Sequence, residues 1–110
     1  MPPTQSTGSR YFLCKLIPPR ASFPRDMTAE ERSAMEEHVQ YWTARMVEGT
    51  ALLFGPVLDP AGPWGLGIVR VEDQTALQRL QEEDPAIRAG IGLRYEALPM
   101  ARVIAPHVED

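Results

Sequence analysis

The chain has 110 residues, 44% of them hydrophobic and 24% charged, with a formal net charge of −4. That describes one small domain with enough apolar material for a core, which excludes wholesale disorder and a two-domain layout. The basic residues are scattered from Arg10 to Arg102 among a larger number of acids, so nucleic acid is disfavoured as a partner.

Residues 1–10 are rich in Pro, Ser, Thr and Gly and read as a disordered tail. They hold no apolar stretch, so no signal peptide is expected. No apolar run in the chain approaches the ~20 residues of a membrane span. The lone cysteine, Cys14, has no partner for an intramolecular disulfide. Together these features point to a cytoplasmic protein away from the membrane.

Tyr11 to Ile17 is an apolar, aromatic-containing run stopped by Pro18-Pro19, and it reads as a first strand. Residues 18–27 read as a proline-rich loop. Thr28-Ala29-Glu30-Glu31 fits a capping box, opening a helix from Ala29 to about Glu48 with Gly49 as its stop. Met35, His38, Val39, Trp42 and Met46 recur at helical spacing and form its expected buried stripe. Thr50 to Val57 is a second strand, and Gly65 to Val71 a third. Asp59-Pro60-Ala61-Gly62-Pro63 between them is turn chemistry, so the pair reads as an antiparallel hairpin. Asp73 caps a second helix to about Glu83. Asp84-Pro85 opens a single further turn to Ala89. Leu93 to about Ala105 is a last strand, placed at an edge by Pro99. Residues 106–110 read as a frayed tail.

The order β-α-β-β-α-β over residues 11–105 is a ferredoxin-like α+β sandwich: an antiparallel sheet with both helices on one face. The second and third strands are apolar on both faces. A bare apolar sheet face is costly in water, at roughly 25 cal/mol per Å². A homodimer packed sheet on sheet is therefore expected.

Most catalytic motifs are absent. Gly62, Gly65 and Gly67 sit in and after a hairpin, not between a strand and a helix, so they make no phosphate loop. Cys14, His38 and His107 lack metal-ligand spacing. Neither a metal nor a cofactor is expected. His38 stands on the inward stripe of the first helix, where it either packs with one hydrogen bond or acts as an acid/base. Asp84 ends the second helix over the same sheet face. It is either a helix cap alone or also the group that orients His38. Arg88 is a candidate substrate anchor. Trp64 reads as packing and Cys14 as an inert core thiol.

His38 followed by Ala51-Leu52-Leu53-Phe54-Gly55-Pro56 resembles the His…(hydrophobic)-Gly-Pro segment of the YCII-related (YciI-like) family. Asp84-Pro85-Ala86-Ile87-Arg88-Ala89-Gly90-Ile91 is similar to that family's Asp-Pro…Ala-Gly segment. The resemblance covers about residues 11–105. It implies a homodimer of the dimeric α/β-barrel superfamily with a cleft in each subunit, and a His–Asp pair carried here by His38 and Asp84. One branch is similar to bacterial enzymes that remove chloride from a chlorinated hydroxyhydroquinone. The reading is a small-molecule enzyme performing proton abstraction, elimination or isomerisation. The alternative is a dimer that binds or senses a small ligand without catalysis. This chain departs from the family in its proline-rich loop, residues 18–27, so the substrate does not carry over.

Overall fold

The computed structural model describes residues 10–106 and 108. The expected tail over residues 1–9 lies outside the described residues. Strand β1 (Arg10–Ile17) already includes Arg10. It is followed by α1 (Phe23–Asp26), α2 (Ala29–Val47), β2 (Ala51–Val57), β3 (Trp64–Val71), α3 (Gln74–Glu82), α4 (Pro85–Arg88) and β4 (Arg94–Met100). The sheet is antiparallel throughout, in the order β2-β3-β1-β4. This is the ferredoxin-like arrangement expected from the order of elements.

Local chemistry sets the boundaries. The capping box forms as read: Thr28 Oγ1 accepts from Glu31 N–H, and the Glu31 carboxylate accepts from Thr28 N–H. Gly49, at φ +88°, takes the left-handed turn that releases the chain into β2. Asp73 caps α3 by accepting from Ala76 N–H at 2.8 Å. Pro99 lies on the edge strand β4, where its missing N–H costs no ladder bond.

Three expectations need correction. The loop 18–27 contains the short helix α1, with Pro24 in its first turn and Phe23 buried. The loop is tied down electrostatically: Arg20 holds Asp26 at 2.9 Å and Glu31 at 2.7 Å. The buried stripe of α2 is Glu31, Ala34, His38 and Trp42, while Val39 and Met46 sit on its exposed flank. Glu31 can be buried because the cap and Arg20 satisfy its carboxylate. In β2 the register shifts between Ala51 and Leu53, and Ala51 packs with Phe54 against the core. The last strand ends at Met100, which pairs with Tyr11 of β1. Beyond it, Ala105 and Val108 form an isolated bridge.

Two apolar clusters fill the space between sheet and helices. Phe12, Cys14, Trp42, Ala51, Val69, Val71, Leu77 and Leu80 form the first. Leu16, Phe23, Ala86 and Leu93 form the second. Trp42 is only 2% exposed. Burying an indole of roughly 150–250 Å² at about 25 cal/mol per Å² contributes about 4–6 kcal/mol. At the junction of the clusters the helix-facing side of β3 carries Gly65 and Gly67, where Val69 and Val71 continue the row. The missing side chains leave space, and a cavity lies there.

Candidate functional site

The cavity has a volume of about 270 Å³. Its wall includes Leu16 from β1, Phe23 and Met27 from the loop segment, Met35, His38 and Trp42 from α2, Phe54 from β2, and Leu93 and Tyr95 from the last strand and its approach. His38 and Trp42 are one helical turn apart on the buried face of α2, with ring centroids 6.2 Å apart.

Asp84 is fully buried where α3 gives way to α4. As the cap of α4 it accepts from Ala86 N–H through Oδ1 at 2.9 Å. The same carboxylate faces His38 Nδ1, at 2.8 Å from Oδ2 and 3.0 Å from Oδ1. Trp42 Nε1–H lies 3.1 Å from Asp84 Oδ2 and 3.0 Å from the Tyr95 hydroxyl. The Tyr95 hydroxyl in turn donates to Asp84 Oδ2. Four donors from three parts of the chain thus converge on one buried carboxylate. Without them its burial would cost several kcal/mol.

The electrostatics follow from this geometry. Burial pushes the Asp84 carboxyl up, but the hydrogen bond and charge of His38, with help from Tyr95 and Ala86, outweigh it and hold the group below the ordinary carboxylate value. Burial, and then the charge of Asp84, push the Tyr95 hydroxyl the other way, so it stays protonated and donates. An ionised carboxylate only accepts, so His38 Nδ1 must carry a proton. In the neutral ring that leaves Nε2 as the bare nitrogen, and it has no side-chain or backbone partner among the described residues.

His38 and Asp84, named from sequence, are therefore in direct contact. Arg88 is not with them: it is exposed at the end of α4 and outside the cavity lining. Trp64, read as packing, lines the cavity while its ring lies 4.7 Å from Lys15 Nζ and its Nε1–H donates to Asp59. Cys14 is fully buried, and burial pushes its thiol up to about 11 against a weak opposing bond from Gln81, as expected of an inert thiol. His107, dismissed as a metal ligand by spacing, lies outside the described residues.

Sequence reading missed Trp42 and Tyr95 as polar partners. The signal for Trp42 was its place four residues after His38 on the same face. For Tyr95 it was the alternation of apolar Leu93 and Tyr95 with Arg94 and Glu96. Among the described residues no group of three or more His, Cys, Asp or Glu could hold a metal ion, and no helix is long and apolar enough to cross a membrane.

These features define a ferredoxin-like α+β domain with a buried His–Asp contact beside an apolar cavity. The YCII-related domain model matches residues 12–101, and the chain belongs to that family. Two solved structures are similar. PA3566 from Pseudomonas aeruginosa has a TM-score of 0.50 at 14% identity, covering 91% of this chain and 100% of that one. The uncharacterised protein TM1266 from Thermotoga maritima has a TM-score of 0.47 at 12% identity, covering 84% and 98%. At such identities the likeness concerns the fold alone. No curated protein matches the chain.

Proposed function

We propose that the protein is a small-molecule enzyme in which His38 is the general acid/base and Asp84 orients it. The observation that carries this reading is the contact of His38 Nδ1 with the buried Asp84 carboxylate, which leaves Nε2 unpaired in the wall of a cavity. The neutral imidazole accepts a proton at Nε2 from a bound molecule, and Asp84 stabilises the imidazolium that results. The imidazolium returns the proton to another atom of the same molecule or to a leaving group. Proton abstraction, isomerisation and elimination share this cycle. A base positioned in this way contributes about 10²–10⁴-fold. Tyr95 and Trp42 keep the carboxylate in place as positioning residues.

The test is nitrogen NMR of labelled His38. In the neutral ring the proton should sit on Nδ1 and Nε2 should be bare. In Asp84→Asn the neutral ring should no longer hold its proton at Nδ1. A neutral ring protonated at Nε2 in the unaltered protein would overturn the reading.

The working unit we propose is a homodimer joined through the sheet face that the helices leave open. Leu53, Ile68, Leu13 and Leu98 stand in register across all four strands on that face, and Leu53 and Leu98 are 46% and 62% exposed. A continuous apolar row of this kind marks an association site. A reducing, cytoplasmic setting suits a chain whose one cysteine is a buried thiol.

A further inference from the structure

The polar groups around the cavity limit what it can hold. None of the described lining residues is Asp, Glu, Lys or Arg. Three of the polar side chains in the wall are already committed. The Tyr95 hydroxyl gives its only hydrogen to Asp84, and Trp42 Nε1–H is shared between Asp84 and Tyr95. Trp64 Nε1–H is taken by Asp59. His38 Nε2 is left as the one side-chain position with a partner to offer. The remaining wall is apolar, with Leu16, Phe23, Met35 and Phe54 among its members. At about 270 Å³ the space lies below the roughly 300–1,000 Å³ typical of sites for drug-sized ligands.

We infer that the ligand of this cavity is a small, uncharged, predominantly apolar molecule with a single hydrogen-bonding head, seated with that head on His38 Nε2. This inference rests on the acid/base reading only for the direction in which the ligand points.

Each exclusion has a physical cause. A phosphate ester or a free carboxylate would bring a full charge into a wall with no cation but the His38 ring, and that ring is balanced by Asp84. Its loss of hydration would go uncompensated. A polyhydroxylated ring would bury hydroxyls beyond the first against Leu, Met and Phe. Each buried hydroxyl without a partner weakens binding by about tenfold or more. A molecule with no polar head would leave Nε2 dry and unpaired. If the head is an acidic X–H group, its proton passes to Nε2. The X⁻ formed then rests against Nε2–H, and the total charge of ligand, His38 and Asp84 is unchanged.

The test is calorimetric titration of the full-length protein with β-naphthol, β-naphthyl phosphate, pyrogallol and naphthalene. β-Naphthol should bind at least about tenfold more tightly than each of the others. In His38→Gln the advantage over naphthalene should shrink. In Gly65→Ala, which places a methyl group on the cavity floor, β-naphthol should weaken. Tighter binding of the phosphate or of pyrogallol would overturn the inference, as would no measurable binding of β-naphthol to the unaltered protein. The two proposals fail separately. β-Naphthol selectivity with a His38 ring that stays protonated at Nε2 defeats the acid/base role and leaves the ligand class standing. A titrating Nε2 with preference for pyrogallol does the reverse.

Discussion

The edge of the Trp42 indole occupies the place where a side chain at position 67 would stand. A Cβ built on Gly67 falls 2.4 Å from Trp42 Cη2 and 2.6 Å from Cζ3. The indole is held from its other end by Asp84 and Tyr95, so it has little freedom to retreat. Gly67→Ala should therefore destabilise the fold by about 1–3 kcal/mol, as overpacking of a filled core does. Urea unfolding measures it as a lowered midpoint. At Gly65 the corresponding Cβ meets Leu16 Cβ at 3.4 Å, so Gly65→Ala should cost less.

Asp84 should prove more costly to remove than His38. Asp84→Ala strands His38 Nδ1, Trp42 Nε1, the Tyr95 hydroxyl and Ala86 N–H in a buried setting. The expected loss is about 3–5 kcal/mol, a large part of the stability of a small domain. His38→Ala leaves three donors on the carboxylate and should cost about 1–3 kcal/mol. Chemical denaturation of both variants gives the order, and equal losses would contradict the converging-donor picture.

Acid should destabilise the protein through two carboxyls. The Asp84 carboxyl is held below its ordinary value once the bonds from His38, Tyr95 and Ala86 outweigh its burial. Glu31 is lowered to about 2, first by Arg20 and then by the cap bond from Thr28. A carboxyl depressed in the folded state adds stability above its unfolded value near ~4, and that stability disappears as pH falls through the folded value. Urea midpoints should be flat near neutrality and fall between about pH 5 and pH 2. Glu31→Gln should start from a lower midpoint and show a shallower fall. A midpoint unchanged down to pH 3 would contradict the sign.

The open sheet face should govern assembly. The unaltered protein should sediment as a dimer at micromolar concentration. Leu53→Glu with Leu98→Glu puts two charges on the exposed row and should give a monomer with unchanged circular dichroism. A monomeric unaltered protein would refute the sheet-on-sheet unit.

Much of the architecture was legible in the sequence because it is decided locally. The Thr28–Glu31 box, the Asp73 cap, the Gly49 stop and the Asp84-Pro85 opening involve groups within a few residues of each other. Strand runs and turn prolines are local signals as well. They sufficed for the element order and hence for the fold. The short helix α1 escaped because its prolines read as loop, while the tie from Arg20 to Glu31 spans eleven positions. The stripe on α2 was misjudged by one flank because hydrophobicity favoured Val39 and Met46. The interior instead took Ala34, which fits closely, and Glu31, whose charge is satisfied.

The site divides along the same line. His38 and Asp84 were legible as candidates, each on an element facing one side of the sheet. Their contact joins positions 46 apart, and its strength depends on Trp42 and on Tyr95, which stands in the last strand. No local pattern specifies four donors around one carboxylate, because that arrangement exists only after helix and sheet have packed. The cavity is likewise a tertiary product. Gly65 and Gly67 are visible in the sequence, but whether the space beside them is filled depends on what crosses it. Trp42 fills the room above Gly67, and the room toward Gly65 stays open.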